Sequence, residues 1–347
     1  MDKNTLIRIG KSVFSAMKNA NGTEWYNDWD IWGWNVGVAL FGVLKMHETT
    51  KDEEYLEFIT SWIDAHCENF NANSPNAAAP LNAVLYAYLN TGNDKYMEII
   101  KQFVDWGLSK AKRTPSGAYS HVWGDDPDDG PRELQIWVDT LFMAALFISN
   151  SGAKLENKSC EIEGVQQFRL HIDKLFDRST GLFHHGYNFF DQKPMGAFWG
   201  RGNGWIAGSI IELVEIMKDK KFEIEDIISS FTILMESVKN LSDENGALHT
   251  ILPVKSSYLE TTATALFSYS AIKGYRLGIL DDEYFKWGIN AAKFVISNIS
   301  SEGILMNASS GTGCEWDDYF NVPRHFTFYA QGIALMLISE LIKTFDS

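Results

Sequence analysis

Residues 80–100 read PLNAVLYAYLNTGNDKYMEII: an apolar helix, a polar turn, and a second helix of different character. The first part is apolar nearly all round. The second opens on Asn, Asp and Tyr, and is apolar along one stripe only. A helix that is apolar on every side must be enclosed by neighbours, whereas a striped helix faces water on its other side. A hairpin of the two is therefore the repeating unit of a double-layered helical ring.

The unit recurs. TTKDEEYLEFI from Thr49 and GILDDEYFKWG from Gly278 repeat the turn, the cap and the Tyr, and WNVGVALFGVLKMH and TTATALFSYSAIKGYRLG precede them. VDTLFMAALFISNSG, NGWIAGSIIELVEIM and FYAQGIALMLISELI are further apolar segments of the first kind. Six apolar helices are thus expected to begin near Trp34, Leu81, Asp139, Asn203, Thr261 and Tyr329. Five have a striped partner after them, and a helix over Asn4–Ala20 supplies the sixth. The pattern predicts an all-α (α/α)6 barrel, with an open α-solenoid as the alternative. No Pro/Gly/Ser linker divides the chain, so residues 1–347 read as one domain.

The bulk properties exclude several functions. A net charge of -15 offers no basic stripe for nucleic acid. Three scattered cysteines, Cys67, Cys160 and Cys314, form neither a disulfide framework nor a zinc pattern. The first twenty residues contain no apolar h-region, and no apolar run approaches the ~18 residues of a membrane span. A cytoplasmic location is expected. No HExxH, GxSxG or P-loop pattern occurs, so neither a metal nor an organic cofactor is called for.

In such a barrel the loops before the inner helices share one mouth, and the polar and aromatic oddities of this chain lie there. WYNDWDIWGWN, with Trp25, Trp29, Trp32 and Trp34, precedes the first inner helix, and NFNANSPNAAAP the second. SHVWGDDPDDGPRELQIWVD leads to the third, and GTGCEWDDYFNVPRHF to the sixth. FWGRGNGW at 198–205 reads as a glycine-shaped loop closing on a ligand, because glycine disfavours helix. The DDPDDG run from Asp125 reads as a solvated turn. Of the adjacent His184 and His185, at most one can enter the cavity. Asp139 opens the third inner helix. It reads either as an N-cap or as a general acid whose pKa the apolar walls of Trp137 and Phe142 would raise.

WVDTLFMA at 137–144, TGLFHHGYN at 180–188, FWGRGNGW and SYLETTATALFSYSAIKGYRLG at 257–278 resemble glycoside hydrolase family 105, with family 88 as its cousin. The resemblance implies an (α/α)6 barrel acting on the 4,5-unsaturated uronic acid that polysaccharide lyases leave at oligosaccharide ends. It implies hydration of the double bond, with Asp139 as acid and base. It further implies His185, Arg201 and Trp205 as binding residues, Arg201 gripping the uronate carboxylate and Trp205 stacking on the ring. His121 falls where the family has another pocket histidine, and Trp32, Trp34 and Trp137 wall the cavity. The chain departs from the pattern at Asn76, where the family has a second aspartate. Two other readings stand beside this one. One is an inverting glycosidase on saturated sugars that pairs Asp139 with Glu260 or with a carboxylate of EWDDY. The other is a sugar-binding relative whose catalysis lapsed with Asn76.

Overall fold

The computed structural model describes residues 2–20, 22, 27–68, 70–124 and 127–345, so Trp25 and the start of the DDPDDG run lie outside the described residues. The expected hairpins form. α1 (Lys3–Lys18) is an outer helix; α2 (Trp34–Thr50) and α3 (Glu53–His66) make one hairpin. The short α4 (Pro75–Ala78) precedes α5 (Leu81–Thr91) and α6 (Asp94–Asp105). The third inner helix continues as α7 (Leu146–Leu155) and pairs with α8 (Lys158–Leu175). α9 (Gly200–Met217) pairs with α10 (Glu225–Leu241), and α11 (Thr261–Arg276) with α12 (Asp282–Ser297). After the short α13 (Asp318–Asn321), α14 (Phe328–Lys343) returns to pack on α1.

The inner helices close a ring, with α2, α5, α7, α9, α11 and α14 each packed on the next and α14 back on α2. Their burial matches their composition: α2 is buried continuously from Asn35 to His47, and α14 from Phe328 to Ile342. Outer helices bury a stripe, such as Tyr96, Ile99, Ile100 and Phe103 of α6.

Three of the turns between paired helices share one local solution. A left-handed residue ends the inner helix, at Lys51, Gly92 and Glu156, and the next residue, Asp52, Asn93 or Asn157, caps the outer helix with its side chain. The caps recognised in the sequence repeats, Asp52, Asn93 and Asp281, each cap an outer helix with the side chain.

One expectation is corrected. FWGRGNGW is not a loop, because α9 begins at Gly200 and carries Arg201, Asn203 and Trp205 within its first turns. The glycines serve packing. A Cβ at Gly200 would lie 2.7 Å from the His249 carbonyl, one at Gly202 would lie 2.6 Å from the Trp199 ring, and one at Gly204 would press on Leu266. Close approach of α9 to its neighbours offsets the helix cost of about 1 kcal/mol per glycine.

Short strands, unforeseen from the sequence, shape the mouth. β1 (Gln135–Trp137), β4 (Gly186–Asn188) and β5 (Lys193–Met195) form an antiparallel sheet in which Trp137 faces Gly186 and Gly186 faces Met195. β2 (Phe176–Asp177) and β3 (Leu182–Phe183) form a second pair. The first sheet brings the end of β1, and hence Asp139, beside His185.

Candidate active site

A cavity of roughly 870 Å3 opens at the end of the ring where the inner helices begin. Trp32, Trp34, Asn76, His121, Trp137, Asp139, Arg201 and Trp205 line it, so eight of the nine residues singled out from the sequence meet there. Trp123, Arg132, Trp199, Thr312, Cys314, Glu315 and Asp318 are also part of the lining. Glu315 and Asp318 are among the EWDDY carboxylates weighed as partners for Asp139, whereas Trp123, Arg132, Trp199, Thr312 and Cys314 lie in the quoted mouth stretches but were not assigned to the site.

Asp139 follows β1 and leads into Leu141–Ala145, wound as a π-helical turn before α7. Such turns redirect a helix locally and occur often at functional sites. The Asp139 side chain retains 18% exposure. Its Oδ2 atom is buried and makes no hydrogen bond, but lies 3.4 Å from His185 Nε2. Oδ2 is therefore not spent as a helix cap. Burial alone would raise the carboxyl's pKa, but the imidazole of His185, followed by His121 and Arg201, outweighs it and holds Asp139 below its ordinary value. The pKa raised by Trp137 and Phe142 that the sequence led us to expect is thus reversed. Sequence neighbours supplied the apolar wall, while residues far along the chain supplied the charge.

His185 stands behind Asp139 and is not on the cavity wall. Its side chain is fully buried, with the ring against Trp199 at 4.5 Å and edge-on to Trp137 at 5.0 Å. Main-chain bonds fix it: Val138 N–H donates to the His185 carbonyl at 2.9 Å, and His185 N–H to that of Ala197 at 3.2 Å. His184 turns the other way, against Phe198. His121 stacks on Trp137 at 4.5 Å and 12°, with Nδ1 2.9 Å from Thr140 Oγ1. Burial pushes its pKa down to about 4, which leaves a neutral imidazole near pH 7.

Arg201 differs most from expectation. Only 1% exposed, it donates from Nη1 to the Ser309 carbonyl at 2.8 Å and to Ser309 Oγ at 2.7 Å, and from Nη2 to the Ser310 carbonyl at 2.6 Å. Its guanidinium lies over Trp199 at 4.6 Å and Tyr329 at 5.1 Å. The fork that would clamp a carboxylate bidentately is occupied by the 309–312 wall. Arg132, from the 3-10 segment Pro127–Leu134, reaches the cavity with its guanidinium 3.6 Å above the ring of Trp123, which is 46% exposed.

Glu260 is committed elsewhere. Fully buried, it caps α11 by accepting from Ala263 N–H and Thr262 Oγ1, each at 2.7 Å, and it accepts from Ser309 N–H at 2.9 Å. Of the N-terminal aromatics, Trp32 anchors Nε1–H on the Ala77 carbonyl at 2.8 Å and Trp34 packs on Tyr329, while Trp29 stacks on Phe328 away from the cavity. Trp205 lies at the floor against Phe142 at 4.8 Å. Asn76 sits on α4, capped by Ser74. Aromatic faces around the Asp139 carboxylate, with an amide and a guanidinium within reach, suit an anionic sugar.

Comparison with known proteins agrees. The chain is 29% identical over 318 residues to the unsaturated rhamnogalacturonyl hydrolase YesR of Bacillus subtilis, covering 90% of each. It is 23% identical over 333 residues to an unsaturated 3S-rhamnoglycuronyl hydrolase of Formosa agariphila, covering 89% of this chain and 84% of that protein. The crystal structure of a possible member of family GH105 from Salmonella enterica superposes with a TM-score of 0.93 at 25% identity, over 99% of this chain and 95% of that one. An unsaturated glucuronyl hydrolase from Bacillus sp. GL1 shares the fold, with a TM-score of 0.77 at 14% identity over 98% of this chain and 97% of that one. The model of Glycosyl Hydrolase Family 88 matches residues 8–345, and the chain belongs to that family of glycoside hydrolases.

Proposed function

We propose that this glycoside hydrolase releases a 4,5-unsaturated uronic acid from the non-reducing end of lyase-generated oligosaccharides of the pectin and rhamnogalacturonan type, by hydrating the C4=C5 double bond with Asp139 as general acid and base. The observation that carries the reading is a cavity carboxylate, Asp139, held against the His185 imidazole, while Glu260 is consumed in capping. The activities of the B. subtilis and F. agariphila relatives support the substrate class.

The C4=C5–O5 unit is an enol ether. A proton from Asp139 to C4 leaves positive charge shared by C5 and the ring oxygen. Water adds at C5 and its proton passes to the Asp139 carboxylate, which restores the acid. The C5 hemiketal opens to a ketone, and the hemiacetal freed at C1 expels the next sugar as an alcohol. One water is consumed, and no second carboxylate is needed, unlike the usual pair of glycosidases. The indoles of Trp34 and Trp137 on the cavity wall favour the transient cation. Arg132 faces the substrate carboxylate, and Arg201 holds the wall behind it. Asn76 orients the water or a hydroxyl, Trp32 bounds the sugar, and His121 accepts or donates one neutral hydrogen bond.

We take residues 1–347 as one catalytic domain working in the cytoplasm on oligosaccharide and not on nucleic acid. Among the described residues no helix is long and apolar enough to cross a membrane. Hydration abolishes the ultraviolet absorbance of the conjugated double bond, which supplies the assay. Lyase-generated disaccharides with unsaturated galacturonyl or glucuronyl ends are incubated with wild type and Asp139→Asn. Loss of absorbance with wild type alone is expected. A flat trace on every unsaturated substrate from folded protein would transfer the case to saturated sugars, with Glu315 or Asp318 as partner carboxylate.

A further inference from the structure

Behind Asp139 the structure contains a second layer that the reaction above does not use. Tyr319 of α13 is fully buried, and its hydroxyl reaches two groups. Ala197 N–H donates to it at 3.1 Å, and His185 Nδ1 lies 2.7 Å from it. A slot at Gly196 admits the hydroxyl: with φ at +74° and Tyr319 Oη against the place a Cβ would occupy, no other residue fits without displacing it. Sequence reading noticed the EWDDY loop only for its acids.

The tautomer follows from donor counting. An N–H can only donate, so the Ala197 bond occupies Tyr319 Oη as an acceptor. The phenolic proton then needs an acceptor of its own in a buried place, and His185 Nδ1 is the one within reach. A neutral imidazole that accepts at Nδ1 carries its proton at Nε2. That nitrogen is the one facing Asp139 Oδ2 at 3.4 Å, and both atoms are buried with no other hydrogen-bond partner.

We propose that Tyr319 is a positioning residue for the hydration reaction: by donating to Nδ1 it fixes His185 as the Nε2–H tautomer and so sets the orientation and proton affinity of Asp139. The assignment rests on the reading of Asp139 as acid and base. It also links the acid to the cavity wall. Tyr319 belongs to the segment whose Gly311–Glu315 and Asp318 line the cavity, and Arg201 anchors the start of that segment. A sugar that engages this wall therefore presses on the same segment that holds the His185 proton. The titratable and charged groups around Asp139 are His185, His121 and Arg201, with Cys314 and Tyr319 from the wall.

The test is Tyr319→Phe, read in two independent ways. Nitrogen-15 NMR of histidine-labelled protein, with His185 assigned by its loss in His185→Gln, distinguishes Nδ1–H, Nε2–H and doubly protonated rings. Wild type is expected to show His185 as Nε2–H, and the Phe variant to lose that single state. Kinetically, kcat is expected to fall about 10- to 100-fold, as a displaced catalytic group does, with KM within about twofold, while the stranded Ala197 N–H lowers the melting temperature modestly. A merely structural tyrosine would lower stability too, but would leave the tautomer and kcat alone. Wild-type His185 protonated on Nδ1 would overturn the proposal, as would a Phe variant that keeps both Nε2–H and wild-type kcat. Wild type that turns over no unsaturated substrate, yet shows the tautomer change, would sink the hydration reading while supporting the placement of the proton by Tyr319.

Discussion

Arg201→Lys separates a substrate clamp from a structural anchor. The arginine makes three bonds of 2.8 Å or less to Ser309 and Ser310, from two nitrogens spaced by the guanidinium plane. A lysine keeps the charge beside Glu260 but has one nitrogen, which cannot span both carbonyls. Losing two charge-assisted bonds at ~1.5 kcal/mol or more apiece costs about 3 kcal/mol. With an unfolding entropy of about 2.1 cal/mol/K per residue, that is a fall of roughly 4 °C in melting temperature for a chain of this size. Calorimetry on the free protein should find that fall, and limited proteolysis should find the segment from Ser309 to His325 opened. Arg132→Gln should give the opposite pattern: an unchanged melting temperature, with KM for unsaturated uronides raised about tenfold or more, as loss of one charge-assisted contact to a carboxylate implies. If Arg201→Lys melts with wild type and only KM rises, the anchor argument is wrong and Arg201 is the clamp.

Other perturbations test the surroundings. His171 and His121 are both buried, and burial lowers each pKa to about 4. The unfolded chain binds these protons first, so stability is whole above pH ~6.5 and drains as pH falls toward 4. Urea titrations at pH 7 and pH 5 should show His171→Gln losing about 2 kcal/mol less than wild type between the two; equal losses would refute the assignment. Glu212, eleven residues along α9 from Arg201 and so about 16 Å farther down the ring, sits buried between Lys45 at 2.8 Å and Lys273. Glu212→Gln should destabilise by about 2 kcal/mol by removing one shared partner while Lys45 keeps Glu48 and Lys273 keeps Glu215, with kcat/KM nearly unchanged; a large kinetic loss would contradict the separation of the two ends. Asn76→Asp adds a like charge to the cavity and should move the alkaline limb of kcat to higher pH, and an unmoved limb would place residue 76 out of electrostatic reach of Asp139.

The fold was legible because enclosure is written in composition. A run such as Val36–Met46 has no polar face to give to solvent, and the Asp52, Asn93 and Asp281 caps mark where each outer helix starts. Membership of the cavity was equally legible, since the residues that look odd in a helix or turn are those the barrel gathers at one end. Roles were not. Glycine in FWGRGNGW looked like loop chemistry because helix propensity is local, whereas the contacts that require it, His249, Val138 and Leu266, come from other hairpins. Arg201 looked like a free cation because its partners Ser309 and Ser310 lie over a hundred residues away. The β1–β4–β5 sheet, three residues per strand, left no alternation to read. Tyr319 gave no signal at all, because its meaning is one bond to His185.

The direction of the Asp139 shift raises a question about the acid itself. A proton donor held below its ordinary pKa is mostly ionised in the empty cavity at neutral pH, which suits a base but not the first step. On the proposed reading, the substrate supplies what is missing. An unsaturated uronide carries its carboxylate on C5, the carbon next to the one to be protonated, and its binding displaces water from around Asp139. A like charge nearby and lost solvation both raise a carboxyl pKa, so the complex is a better acid than the free enzyme. The pH profiles should record this. Because the acid must be protonated, activity falls as pH rises through its pKa. The fall in kcat/KM reports the free enzyme and that in kcat the complex, so the kcat limb should lie at higher pH. In Tyr319→Phe, where the Nε2–H of His185 is no longer enforced, the free-enzyme limb should move up toward it. Coincident limbs in wild type would mean that the substrate does not assemble its own acid, and that Asp139 draws its proton from the His185 pair without help from the uronate.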